Sequence, residues 1–148
     1  MKNTIKILIL AILVSIPQAC STPNTFVRTM DPNWNVVQIR DDLTYDEAWN
    51  SVVDLISKKF DIEILSKEDG YLRTGWSHSW TGELDEAYKV RAIIKFTPDQ
   101  TRLEIKSEAH HYSSGFMGMG SGWEMGTDER LVTTLRSDIM GKVGRVTR

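Results

Sequence analysis

Two amphipathic helices are predicted by the spacing of apolar residues along the chain. Thr44 and Glu47 form a capping box, in which each side chain accepts a backbone N–H of the other residue. Apolar residues at helical spacing follow over residues 49–60. A second stripe with the same spacing covers residues 131–143, and the acidic residues before it favour a helix start near Thr127.

Between the two helices, apolar and polar residues alternate in four segments, which is typical of strands. The segments are residues 60–64, 72–76, 88–96 and 103–109. Regular alternation predicts an antiparallel sheet with one polar face, and its apolar face can cover the stripes of both helices. We therefore expect an α+β fold, in which a four-stranded antiparallel meander carries two helices packed on one face, a helix-grip-like arrangement.

The amino terminus has the pattern of a secretory signal. Two lysines precede an apolar run at residues 7–16, which is too short to cross a bilayer as a helix. Cys20 follows, as in bacterial lipoprotein signals, where the cysteine is lipidated and becomes the new amino terminus. Pro17 and Gln18 depart from the usual residues of that motif. By the sorting rule of enteric lipoproteins, Ser21 after the cysteine predicts the outer membrane.

Three segments follow from these patterns, and the length of 148 residues fits one domain. Residues 1–19 are the predicted signal, residues 20–43 an extended tether, and residues 44–148 a single α+β domain. The tether is predicted from its proline, asparagine and threonine content. The apolar residues between 34 and 39 are an exception, which can dock against the domain or against a partner.

Composition and charge narrow the classes of function. With 18 basic and 20 acidic residues, the chain has no excess of positive charge that would bind nucleic acid or an anionic lipid surface. Cys20 is the only cysteine, so an intramolecular disulfide or a cysteine-based zinc site is excluded. We expect no cofactor.

Several histidines and acidic residues have side chains that could act in catalysis or metal binding, but their predicted positions do not favour either role. His110 and His111 are neighbours on a predicted strand and therefore point to opposite faces, so they are poorly placed to share a metal ion. The acidic pair at residues 85–86 lies in a predicted loop, and the pair at residues 128–129 lies at a helix start, where solvent and the helix dipole stabilise them. We therefore predict no catalytic or metal site.

The segment from Ser113 to Gly126 is rich in glycine and methionine and interrupts the strand pattern. Flexible segments with large apolar groups suit adaptable contacts with partners. The predicted partner-binding residues of this segment are Phe116, Met117, Met119 and Trp123. The alternative is a loop that folds back over the open end of the core. Outside this segment, three aromatic residues at positions 76, 78 and 80 are predicted to lie in the core or at its rim.

The domain resembles the small helix-grip domains of BamC-like lipoproteins, which belong to the outer-membrane β-barrel assembly machinery. The likeness consists of the Ala48-x-x-x-Val52 helix, the Phe60-x-Ile62 strand, the turn at residues 69–70 and the Leu72-x-Thr74-x-Trp76 strand. The closing helix with Leu131 and Leu135 also fits. The resemblance implies a non-enzymatic accessory role at the envelope, with the domain presenting a surface to other proteins.

Two functions are therefore expected. The first is a cell-envelope lipoprotein that acts as a non-catalytic binding or structural subunit of an outer-membrane-associated protein complex. Its partners would be other envelope proteins, and its lipid would hold it to the periplasmic face of the outer membrane. The alternative is a periplasmic carrier of a small ligand or lipid, which requires a cavity between the sheet and the helices.

Overall fold

The computed structural model describes residues 23–78, 85–114 and 120–145. These residues form seven antiparallel strands and two helices. The strands are β1 Phe26–Arg28, β2 Asn35–Gln38, β3 Ile62–Ser66, β4 Tyr71–Thr74, β5 Tyr88–Phe96, β6 Arg102–Ser113 and β7 Gly122–Asp128; the helices are α1 Tyr45–Ser57 and α2 Glu129–Val143. None of the helices in these ranges is long and apolar enough to cross a membrane.

One sheet contains all seven strands, in the order β1-β7-β6-β5-β4-β3, with β2 paired to β6. The long strand β6 organises this arrangement. Its first four residues pair with β2, its last five pair with β7, and β5 lies along its other side. Strand β1 then pairs with β7 at the sheet edge.

The α+β class is confirmed, but the expected four-stranded meander is too small. The four predicted strands correspond to β3 to β6, and β7 extends the meander from within the glycine-rich segment. Strands β1 and β2 come from the segment expected to be a tether, so the sheet begins at Phe26 rather than after residue 43. With three and four residues, β1 and β2 are too short to show alternation, and glycines interrupt the pattern in β7.

The core lies between one face of the sheet and the two helices. On that face, register pairs such as Ile94 with Ile105 and Phe96 with Leu103 are buried. Trp49 of α1 contacts Phe96, with ring centroids 5.5 Å apart. The opposite face, which we call the open face, carries the polar partners of the alternation. Buried and more exposed residues alternate along β6 as predicted, but on β5 the outward-facing Ile93 is also buried.

The predicted local signals at α1 and at the first hairpin are also confirmed. Thr44 caps α1 with both bonds of the capping box present. Gly70 closes the β3–β4 turn with φ of 62°, a backbone conformation that residues other than glycine rarely adopt. A Cβ atom there would also lie only 2.9 Å from the Cβ of Phe96.

Candidate functional site

A cluster of aromatic and basic side chains covers the open face. The register pairs Tyr112 with Trp123 and His110 with Met125, which places these four side chains on neighbouring strands of this face. Trp123 is 47% exposed and Met125 43% exposed. We call the cluster the aromatic face; its members are Trp34, Trp76, Lys89, Lys106, His110, Tyr112, Trp123 and Met125.

Lys89 lies at the centre of the aromatic face, between two tryptophans. Its ammonium nitrogen is 4.9 Å from the centroid of the Trp76 ring and 4.8 Å from that of Trp123. A cation over an aromatic face is stabilised by about 0.5–1 kcal/mol at an exposed site. His110 lies beside the same rings, with centroids 4.5 Å from Trp76 and 6.3 Å from Trp123. The two tryptophans therefore hold Lys89 in a defined position.

A second lysine–tryptophan pair lies further along the sheet. The register of β2 with β6 brings Trp34 beside Lys106, and the ammonium nitrogen is 4.7 Å from the ring centroid. Lys106 and His110, the register partner of Lys89, are four residues apart on β6. At about 3.3 Å per residue, the two lysine–tryptophan pairs are roughly 13 Å apart along the strands.

Two arginines of the open face, Arg73 and Arg91, are neutralised by neighbouring carboxylates. Arg91 forms an ion pair with Glu108 at 2.6 Å and a longer one with Glu63 at 3.7 Å. Arg73 is 3.2 Å from the same Glu63. By contrast, no carboxylate of the described ranges lies within ion-pair distance of Lys89 or Lys106.

His110 titrates in a positive environment. Partial burial lowers its pKa first, and the charges of Lys89 and Arg91 lower it further, while Glu108 acts in the opposite direction. Because the pKa lies below its ordinary value near 6.5, His110 is neutral at neutral pH. Lys89 is then the main cation in the centre of the aromatic face.

His111 lies on the helix side of the sheet, as the alternation predicts. It is 4% exposed and contacts Phe26, with ring centroids 5.8 Å apart. Within the ranges that the structure describes, no three metal-binding side chains come together. Neither histidine is therefore grouped with further metal ligands in this part of the chain.

Asp128 has a different role from the one expected. We predicted a solvated acid in the first turn of the second helix, but Asp128 is fully buried and is both the last residue of β7 and the N-cap of α2. Its Oδ1 atom accepts the Leu131 N–H at 2.8 Å. Its Oδ2 atom accepts the hydroxyls of Tyr88 at 2.5 Å and Thr25 at 2.9 Å. Asp128 thus joins β1, β5 and α2.

The pKa of Tyr88 reflects this buried cluster. Burial raises it most, and the hydrogen bond to the Asp128 carboxylate raises it further because ionised Tyr88 would lose that bond. Tyr88 is therefore a permanent hydrogen-bond donor at any physiological pH. The cluster stabilises the fold and leaves the aromatic face as the candidate functional site.

The predicted site residues are only partly located. Trp123 lies on the open face and is exposed, as a partner-binding residue would be. Phe116, Met117 and Met119 lie outside the described residues, and so does Cys20. Trp76, expected in the core or at its rim, lies on the open face, where Lys89 and Arg91 pack against its ring.

Sequence reasoning does not find Lys89, Lys106 or Tyr112 as members of the aromatic face. The alternation makes Lys89 and Lys106 ordinary polar residues of a solvated face, and it gives Tyr112 no role. Trp34 is expected to dock against the domain or a partner, without any indication that it meets Lys106. One feature of the sequence points to Lys89: tryptophans occur both before and after the segments that form the lysine-bearing strands. Which rings reach which lysine depends on strand register, and a single sequence does not give that register.

A scan against protein-family models finds no match to this chain, and a search of curated proteins finds no similar sequence.

Proposed function

We propose that this protein is a cell-envelope lipoprotein that acts as a non-catalytic binding or structural subunit of an outer-membrane-associated protein complex, and that the aromatic face binds its partner. The observation that carries the proposal is the exposure of Trp123 beside Tyr112 and Met125 on the open face of the sheet. Exposed apolar patches on soluble domains mark interaction sites, and tryptophan, tyrosine and methionine are enriched where proteins meet.

The composition of the aromatic face fits a protein contact. Tyr112 and Trp123 pack edge to face, with centroids 5.5 Å apart, so their positions are fixed before a partner arrives. Rigid aromatic side chains lose little conformational entropy on binding, which leaves more of the contact energy for affinity. The resemblance to BamC-like lipoproteins, which implies a domain that presents a surface to other proteins, remains part of this proposal.

The proposed lipid anchor at Cys20 would hold the domain close to the membrane. Five residues separate Cys20 from Phe26, the first residue of β1. Even fully extended, this stretch spans only about 20 Å. The expected tether of residues 20–43 would have let the domain move much further. With the short connection, we propose that the partner also lies near the periplasmic face of the outer membrane.

The ligand-carrier alternative gains no support from the interior. The space between the sheet and the helices is filled by fully buried side chains, among them Ile56, Leu72, Ile94, Leu131 and Ile139. Two surface grooves of about 460 and 540 Å³ lie elsewhere, one at the end of α1 and one beside β1. Neither is lined by those central side chains.

Exchanging Trp123 for serine is expected to weaken the native complex at least about ten-fold, because central tryptophans contribute strongly to binding at protein interfaces. The full chain is expressed in its host, extracted from membranes in detergent, and the amount in the complex is measured by native electrophoresis. The control is Arg136→Ser on the exposed side of α2. An unchanged complex in Trp123→Ser, with an unchanged melting temperature, would remove the aromatic face from the proposal.

The same membrane preparation tests the anchor. The mature chain is expected to begin at Cys20 and to carry a mass increment for acyl groups on that residue. An unmodified cysteine would contradict the lipoprotein assignment. The binding role of the domain would then depend only on the result for Trp123→Ser.

A further inference from the structure

We infer that the partner contacts the aromatic face with an acidic protein segment, whose carboxylates bind Lys89 and Lys106. The inference rests on the proposed function and adds the chemistry of the partner to it. It is carried by two observations on the open face. No carboxylate of the described ranges lies within ion-pair distance of Lys89 or Lys106, although Glu104 and Glu108 flank Lys106 two residues away on β6. Tryptophan rings lie against both ammonium groups.

Burial of the aromatic face is what requires an acidic partner. In the free protein, water solvates the sides of the Lys89 and Lys106 ammonium groups that face away from the rings. A partner that covers Trp123 and Trp34 removes this water, and a buried charge without a counter-charge is strongly destabilising. A neutral or basic partner surface would therefore be rejected, whereas a carboxylate replaces the lost water with a charge-assisted hydrogen bond.

The arginines nearest to Lys89 on the open face are already paired with carboxylates. Arg91 is paired with Glu108 and Arg73 with Glu63. Lys95 lies opposite Glu104 in the register and is exposed. The chain as a whole has a net charge of −2. The electrostatic attraction of an acidic partner is therefore local to Lys89 and Lys106 and does not come from the overall charge of the protein.

The spacing of the two lysines defines the segment further. They are roughly 13 Å apart along the strands, by the four residues that separate Lys106 from His110 on β6. A partner segment that runs extended along these strands presents side chains on one side every second residue, about 6.6 Å apart. Acidic residues at positions i and i+4 of such a segment would reach both lysines at once. The aromatic rings between and beside them would cover its apolar residues.

Carbodiimide cross-linking of the native full-length complex tests this directly, because the reagent joins an amine to a carboxylate in contact with it. Mass spectrometry is expected to find Lys89 and Lys106 joined to aspartate or glutamate residues of one partner segment. The control is Lys142, which is exposed in the last turn of α2, on the helix side of the sheet. Intermolecular products at Lys142 as abundant as those at Lys89 would overturn the inference.

A binding comparison separates this inference from the proposed function. Lys89→Gln combined with Lys106→Gln is expected to weaken the complex at least ten-fold and to reduce its dependence on salt, while Lys89→Arg with Lys106→Arg retains binding. The control is Lys142→Gln. If Trp123→Ser breaks the complex and the double glutamine variant does not, the inference of an acidic partner segment is contradicted and the proposed function stands. If neither affects it, both fail.

A membrane surface is the competing source of negative charge. Vesicles of phosphatidylglycerol and phosphatidylethanolamine are incubated with the wild-type protein and with the double glutamine variant. If the wild-type protein and the variant bind vesicles equally, and only the variant forms a weaker protein complex, the inference of an acidic protein segment is supported. Loss of vesicle binding in the variant, with an unchanged protein complex, overturns it.

Discussion

Replacing Gly126 with alanine is expected to lower the free energy of unfolding by about 3 kcal/mol, because the strand has no room for a methyl group there. A Cβ atom at this position would lie 2.3 Å from the carbonyl oxygen of Val27 and 2.6 Å from the ring of Phe26. Neither neighbour can easily withdraw, since β1 is paired with β7 at this register. Urea denaturation followed by tryptophan fluorescence measures the change.

Gly122 is the matched control in the same strand. Nothing lies within 4 Å of a Cβ atom built at Gly122. Gly122→Ala should therefore change the free energy of unfolding by no more than about 0.5 kcal/mol. Equal effects of the two alanines would mean that β1 does not pack on β7 as described, and that the domain does not begin at Phe26.

Replacing Asp128 with alanine is expected to lower the free energy of unfolding by about 3 kcal/mol, which is more than the loss of a helix cap alone. The substitution removes the N-cap of α2, at about 1 kcal/mol, and leaves the buried hydroxyls of Tyr88 and Thr25 without their acceptor. Thermal and urea unfolding measure the change. A change in the near-ultraviolet circular dichroism spectrum would report the altered surroundings of Tyr88.

Thr44 is the control for the capping effect. It caps α1 with the same kind of hydrogen bond but is exposed. Thr44→Ala should therefore lower the free energy of unfolding by only about 1 kcal/mol. If Asp128→Ala were no more destabilising than Thr44→Ala, the buried cluster around Asp128 would contribute nothing beyond an ordinary cap.

The parts of the fold that local signals specify were predictable from the sequence. The capping box at Thr44 and Glu47 fixes the start of α1, and the positive φ at Gly70 fixes the first hairpin. Strands β5 and β6 are long enough, at nine and twelve residues, for alternation to assign both their faces. The opposite orientations of His110 and His111 follow from that alternation.

The parts that depend on distant partners were not predictable. Strand β1 has three residues, and its conformation depends on β7, about 100 residues later in the chain. Asp128 looks like a solvated helix-start acid in the sequence, and only the approach of Thr25 and Tyr88 shows that it is buried. The same holds for the aromatic face, because Lys89 meets Trp123 only through the β5–β6–β7 register.

Site-specific photo-cross-linking in the host envelope tests the central claim most directly. A photoreactive amino acid is placed in turn at Trp123 and Met125 on the open face, and at Arg136 and Asp54 on the exposed sides of the helices. If the aromatic face is the binding surface, both open-face positions cross-link to one and the same envelope protein and the helix positions do not. Cross-links to a common partner from the helix positions, with none from Trp123 or Met125, would contradict this claim.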